Sequence, residues 1–305
     1  MSTSPVAASP AFLATCWSHT GDAQPGPGGR HLSPLDLRTR AEAAAGAGFT
    51  GIGFTIEDLQ ASPLALREVG AMLDDLGLVH REVELVEDWW TTGELRRASD
   101  AKRAALVEAA GALGAVSVKA GPAVGDLSGS IPELLDPDEV AHWAEELHRL
   151  GDDFAPVGAR VAIEPLPFAN IRDFRRAADL VLAADHAGVG LVVDLWHVDR
   201  GPSTVDDLRA LPGEKVFVVE LNDGPAPTGE APFPETRDRR LDLGRGTFDV
   251  HGMVGALHDV GFSGPWGVEI ISHEQRRGPL AEVLAENLRA ARAVVSSVVG
   301  AGAGA

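Results

Sequence analysis

The sequence is poor in cysteine, in net positive charge and in long apolar runs, and each shortage removes a class of function. Cys16 is the only cysteine among 305 residues, so no intrachain disulfide can form and nothing points to an oxidising compartment. A formal net charge of -19 argues against a sequence-independent grip on nucleic acid or on an anionic membrane surface. No stretch approaches the roughly 18 apolar residues of a membrane span. The first residues, MSTSPVAASPAF, lack the basic and apolar regions of a secretory signal. The cytoplasm is the compartment these absences leave. Missing too are a linker-like stretch that would divide the chain and a G-x-G-x-x-G turn after the first apolar run.

What is present is an alternation. Short runs rich in Val, Ile and Phe occur at FLATCW (12–17), FTGIGF (49–54), LVHREVELV (78–86), AVSVKA (115–120), RVAIEP (160–165), VGLVVDLW (189–196), KVFVVEL (215–221) and GPWGVEII (264–271). Segments of helical period separate them, several ending in a Gly suited to a C-cap that turns the chain back. Eight strand–helix alternations imply a parallel sheet, and eight is the number that closes a barrel. The expectation is an α/β fold, a single (β/α)8 TIM barrel over residues 11–297. Residues 1–10 and 298–305, made of small residues with little to bury, are expected to be disordered and flexible ends.

Four acids give this alternation a chemical reading. Glu164, Asp194, Glu220 and Glu269 each close one of the last four apolar runs. In a parallel barrel the C-terminal strand ends carry the active site. Strand parity puts Glu164 with Ala162, Asp194 with Val192, Glu220 with Val218 and Glu269 with Gly267 on inward faces. Carboxylates brought together this way repel one another unless a cation sits between them.

Other residues are open to two readings. His80, Glu82 and Glu84 share one face of the third strand, either as site residues, with Glu84 nearest the catalytic end, or as a polar interior layer. Lys119, one of three lysines, ends the fourth strand and could face a substrate oxyanion or sit in an ion pair. Trp17, Phe168, Trp196 and Trp266 could wall a ligand pocket or simply pack the barrel. Asp22, in the first loop, could cap or contact a ligand. Residues 222–246 form a long Pro-rich segment without helical period, either a lid or, around GPAPTGEAPFPET, a surface excursion.

The motifs IEPLP (163–167), VDLWH (193–197), VELNDG (219–224), RRLDLGRGTFD (239–249), GVEI (267–270) and CWSHTGDAQP near the start together resemble the sugar phosphate isomerase/epimerase branch of the xylose-isomerase-like barrel superfamily, over roughly residues 11 to 297. The resemblance implies a divalent metal held by Glu164, Asp194, Glu220 and Glu269. The third position is usually His or Gln in that family, so Glu220 departs from the pattern. An all-carboxylate set favours Mn2+ or Mg2+, with Co2+ and Zn2+ as further options. Against ligation by Glu220 stands a salt bridge to a nearby Arg. His197, three residues after Asp194, and Arg240, or its neighbour Arg239, are implied as contacts to substrate oxygens.

The implied activity is isomerisation or epimerisation of a sugar, sugar phosphate or keto-inositol through a metal-stabilised enediolate. Glu164 and Glu269 would exchange the proton. A lyase on the same scaffold is the alternative: inosose dehydratase, 3-dehydroshikimate dehydratase, or a 3-keto-glycoside cleaving or C-deglycosylation enzyme. More remote are an endonuclease IV-like repair enzyme, which needs many His ligands, and a non-catalytic sugar-binding protein. The expected partner is a carbohydrate or cyclitol, with neither nucleic acid nor membrane; homo-oligomerisation stays open.

Overall fold

A computed structural model describes residues 10–26, 30–125, 127 and 130–302. Its centre is a closed barrel of eight parallel strands in chain order. They are β1 (Phe12–Ala14), β2 (Gly51–Thr55), β3 (His80–Val86), β4 (Ser117–Ala120), β5 (Arg160–Ile163), β6 (Val189–Asp194), β7 (Val216–Leu221) and β8 (Trp266–Val268). All eight expected strands are present, with shorter ends. FLATCW stops at Ala14 because Cys16–Ser18 coil into a single tight turn.

Around the barrel run α1 (Leu37–Ala47), α2 (Ile56–Ala61), α3 (Leu66–Asp75), α4 (Gly93–Leu113), α5 (Val140–Phe154), α6 (Phe174–Ala183), α7 (Leu195–Arg200), α8 (Val205–Arg209), α9 (Pro232–Asp238), α10 (Val250–Asp259) and α11 (Leu280–Gly302). Side-chain caps start several of them: Asp36, Asp173 and Asp249 accept the N–H three residues on, satisfying donors the first turn leaves open. The helices α2, α7 and α9 have six, six and seven residues, too few for an apolar period to show in sequence. The 222–246 segment is therefore not aperiodic throughout, since α9 buries Phe233, Glu235 and Thr236. The expected flexible end at 298 is likewise helical as far as Gly302. Residues 1–9 and 303–305 lie outside the described residues.

The main core lies between strands and helices, where Ile52, Phe54, Val118, Val161, Leu191, Val193 and Val219 meet helix residues such as Leu73, Leu106, Leu147 and Val254. Each such side chain contributes roughly 1.5–3 kcal/mol by leaving water. A smaller cluster, Ala162, Val192, Phe217 and Val218, fills the barrel itself, with the Arg160 guanidinium 4.1 Å from the Phe217 ring. Above this plug the inward positions turn polar. Among the described residues no helix is long and apolar enough to cross a membrane.

Candidate metal centre

Each of the four strand-end acids is placed by ladder geometry. Asp194 and Glu220 are in register on β6 and β7, and Glu220 faces Gly267 on β8. Glu164 and Glu269 stand one residue beyond β5 and β8, where their N–H groups still bond to Ala120 and Leu221 carbonyls. One oxygen or more from each carboxylate can be chosen so that all four lie within 4.8 Å of one another; Glu164, Asp194 and His197 form a second such set.

Their partners divide the cluster. Asp194 Oδ1 accepts from the Trp196 N–H at 2.8 Å, capping α7, and from Asn222 Nδ2 at 2.6 Å. That cap starts α7 directly at the strand end and brings His197 back over the acid, as i,i+3 spacing on a helix does. His197 Nε2 lies 3.3 Å from Asp194 Oδ2 and 3.2 Å from Glu164 Oε1. Arg240, fully buried, spans Asp194 Oδ2 at 2.7 Å and Glu269 Oε2 at 2.8 Å, and bonds Thr236 Oγ1 at 3.0 Å. Of the two candidate arginines, Arg239 instead pairs with Glu230 on the surface. Lys119 enters from β4 and meets Glu84 Oε2 at 2.7 Å, Glu269 Oε1 at 3.6 Å and Glu220 Oε1 in direct contact. The salt-bridge partner of Glu220 is thus a lysine, not an arginine. Glu84 Oε1 also receives the Cys16 thiol at 2.6 Å.

The electrostatics follow from burial and from these neighbours. Burial opposes ionisation of Glu164, but the His197 hydrogen bond and the charge of Lys119 hold its pKa below the usual value. Asp194 is also held down, against burial, by Arg240 and His197. Burial drives Glu220 well up, with Glu269 adding to it, and Glu269 rises as well despite Lys119 and Arg240. One layer deeper, burial lifts Glu82 to about 7. In this interior Glu82, Glu84, Glu164, Asp194, Glu220 and Glu269 face two permanent cations, Lys119 and Arg240. The Glu220 Oε2 atom is buried without a hydrogen-bond partner among the described residues. A surplus of hard oxygen donors with an unfilled acceptor fits a divalent cation.

A cavity of about 440 Å³ opens over the cluster. Glu84, Lys119, Glu164, His197, Arg240 and Glu269 line it, whereas Asp194 and Glu220 lie behind that floor. Trp17, Phe168, Phe233 and Ile271 supply apolar walls. The Phe233 ring stands edge-on to Phe168 at 5.5 Å and so close to Gly26 that a Cβ there would fall 2.1 Å from it. Trp196 and Trp266 are instead buried against Phe248 and Phe262, and Asp22 pairs with Arg276 and Arg277 at the surface.

Sequence reasoning missed Phe233, Thr236, Asn222 and Asp223. Asp223 accepts the N–H groups of Gly224, Gly244, Gly246 and Phe248 and bridges Leu241, which fixes the segment carrying Arg240. A Cβ at Gly246 would come within 2.2 Å of Asp223 Oδ1, so the second Gly of G-R-G serves this close approach. The acid after the strand and the G-x-G were visible as signals; their contact was not.

Known proteins share both the sequence pattern and the barrel. An inosose isomerase of Bacillus licheniformis is 31% identical over 145 residues, 47% of this chain and 51% of that protein. A 3-dehydroshikimate dehydratase of Pseudomonas aeruginosa is 28% identical over 263 residues, 83% of this chain but 39% of that one. The matches thus span about half the length of the first and less of the second. The crystal structure of the IOLI protein with a bound zinc atom superposes with a TM-score of 0.79 at 19% identity, covering 94% of this chain and 99% of that one; at such identity the likeness shows the fold. The family model described as xylose isomerase-like TIM barrel matches residues 41–294, and the chain belongs to that family.

Proposed function

We propose that this chain is a divalent-metal-dependent isomerase or epimerase of a polyhydroxy ketone, either a sugar or a keto-cyclitol. The observation that carries this reading is the convergence of Glu164, Asp194, Glu220 and Glu269 beneath a cavity of about 440 Å³. Glu164, Asp194, Glu220 and Glu269 would hold the ion, Mn2+ or Mg2+ by the hardness of the donors. When bound, it supplies Lewis acidity toward the oxygens of a hydroxy-ketone and so makes the carbon between them more acidic.

The side chains of the chain do the rest. Glu164, kept ionised by His197 and Lys119, accepts a proton from that carbon. Glu269, which also lines the cavity, returns one. His197 and Arg240 orient substrate oxygens, and Trp17 and Phe168 face the C–H side of the ring. Glu84 and Lys119 close the floor. A lyase outcome is the second reading, favoured by the dehydratase match along 83% of the chain. It needs only that the proton go to a departing β-hydroxyl, which leaves as water, instead of back to carbon.

The test is a panel of keto-sugars and inososes incubated with Mn2+ in D2O, with Glu164→Gln beside the unmodified protein. Deuterium should enter one substrate class, and the variant should lose at least about a hundredfold in exchange rate while staying folded. Retained product mass identifies an isomerase, and loss of water a lyase. Exchange by Glu164→Gln at a near-normal rate rules out its role as base.

A further inference from the structure

Lys119 sets the charge of this centre. β4 delivers its ammonium into the barrel, 2% exposed, against carboxylates from β3, β7 and the end of β8. Its contact with Glu220 takes one oxygen, Oε1, of that carboxylate. The other, Oε2, is buried with no hydrogen-bond partner among the described residues, a state that costs free energy unless something fills it. Glu220 is therefore divided between an ammonium on one side and an acid cluster on the other.

We propose that Lys119 is a built-in counter-cation of the carboxylate centre: it neutralises Glu220 and itself repels a divalent ion, and so limits how tightly such an ion binds there. The inference rests on the metal reading of the acid cluster. A free carboxylate and a carboxylate already paired with an ammonium are different ligands. Both offer an oxygen, but the pair adds no net charge, so its attraction for a doubly charged ion is smaller. Lys119 also approaches Glu269, a second member of the cluster, at 3.6 Å, so its repulsion reaches two of the four donors. A purely structural ion pair would leave metal affinity indifferent to Lys119 once Glu220 had been neutralised.

The experiment is a double-substitution cycle read by calorimetric titration of metal-free protein with MnCl2, independent of turnover. Glu220→Gln removes a donor and leaves the ammonium opposed by Glu84 and, at 3.6 Å, Glu269, and its affinity should fall at least about a hundredfold. Lys119→Met removes the repulsion and should tighten binding at least about tenfold. The double variant loses both charges and should recover at least about tenfold over Glu220→Gln alone. Lys119→Arg, which keeps the charge, should stay near the unmodified protein. The double variant strands only Glu84, where Lys119→Met strands Glu84 and Glu220 together, so it keeps the test available if Lys119→Met does not fold. A double variant that binds Mn2+ no more tightly than Glu220→Gln overturns the proposal. Should the unmodified protein take up no divalent ion, the metal reading falls and this inference with it. Binding by the unmodified protein with no gain in affinity on removing Lys119, in either background, sinks the inference alone.

Discussion

The two halves of the barrel interior are built on opposite plans. The β5–β8 half places one carboxylate at each strand end, in a single ring at the mouth: Glu164, Asp194, Glu220 and Glu269. The β3–β4 half stacks Glu82 and Glu84 in successive inward positions of one strand and answers them with Lys119. The first half concentrates negative charge; the second supplies the cation that lets part of it remain buried. Arg240, carried in after α9, does for Asp194 and Glu269 what Lys119 does for Glu84 and Glu220. Two basic side chains threaded into this ring of acids thus offset part of its charge.

Removing either cation should have the largest effect on stability. Lys119→Met and Arg240→Met each strand buried carboxylates, and each should cost the metal-free protein about 3–5 kcal/mol in urea denaturation. Equal midpoints with the unmodified protein would mean that the acids are already neutral and the two halves independent.

A smaller effect, with a defined sign, belongs to Glu82. Its pKa is raised from 4.5 to about 7 in the folded protein, so the folded state binds a proton that the unfolded chain releases. The stability it contributes is present below about pH 4.5, declines as pH rises, and is gone above about 7, a change of up to about 3 kcal/mol. Glu82→Gln cannot ionise and should stabilise the protein at pH 8 while leaving it unchanged at pH 4. Parallel stability curves for the two proteins between those values would show that Glu82 does not titrate there.

The smallest expected effect separates the adjacent arginines. Arg239→Ala removes only an exposed pair with Glu230 and should leave melting temperature and Mn2+ binding unchanged, because solvent screens such pairs. A loss approaching that of Arg240→Met would mean that the surface pairing does not persist in solution.

The comparison also marks how far the sequence could be read. The strand–helix alternation and the acids of β5–β8 were legible because each is a local pattern, an apolar run of period two closed by a carboxylate. Asp194 and His197 could be joined in advance only through the D-x-x-H spacing of the family the chain resembles, not through the short helix that carries the histidine. Helices α2, α7 and α9 were not legible, being too short to show a period. Nor were the partners of Lys119, for which an ion pair was favoured over a substrate contact but no acid could be named.

What the sequence determined by itself, then, was the barrel and the acids at its mouth, because both follow from the chain's own periodicity. Only the tertiary structure decided which cations answer those acids. Lys119 and Glu220 lie 101 residues apart and meet because barrel closure brings β4 and β7 to face one interior. Arg240 rather than Arg239 turns inward because α9 and the Asp223 clamp set the direction of the segment that carries both. Contacts of that kind leave no period in a sequence, since they depend on the closure of the whole sheet and not on any neighbour along the chain.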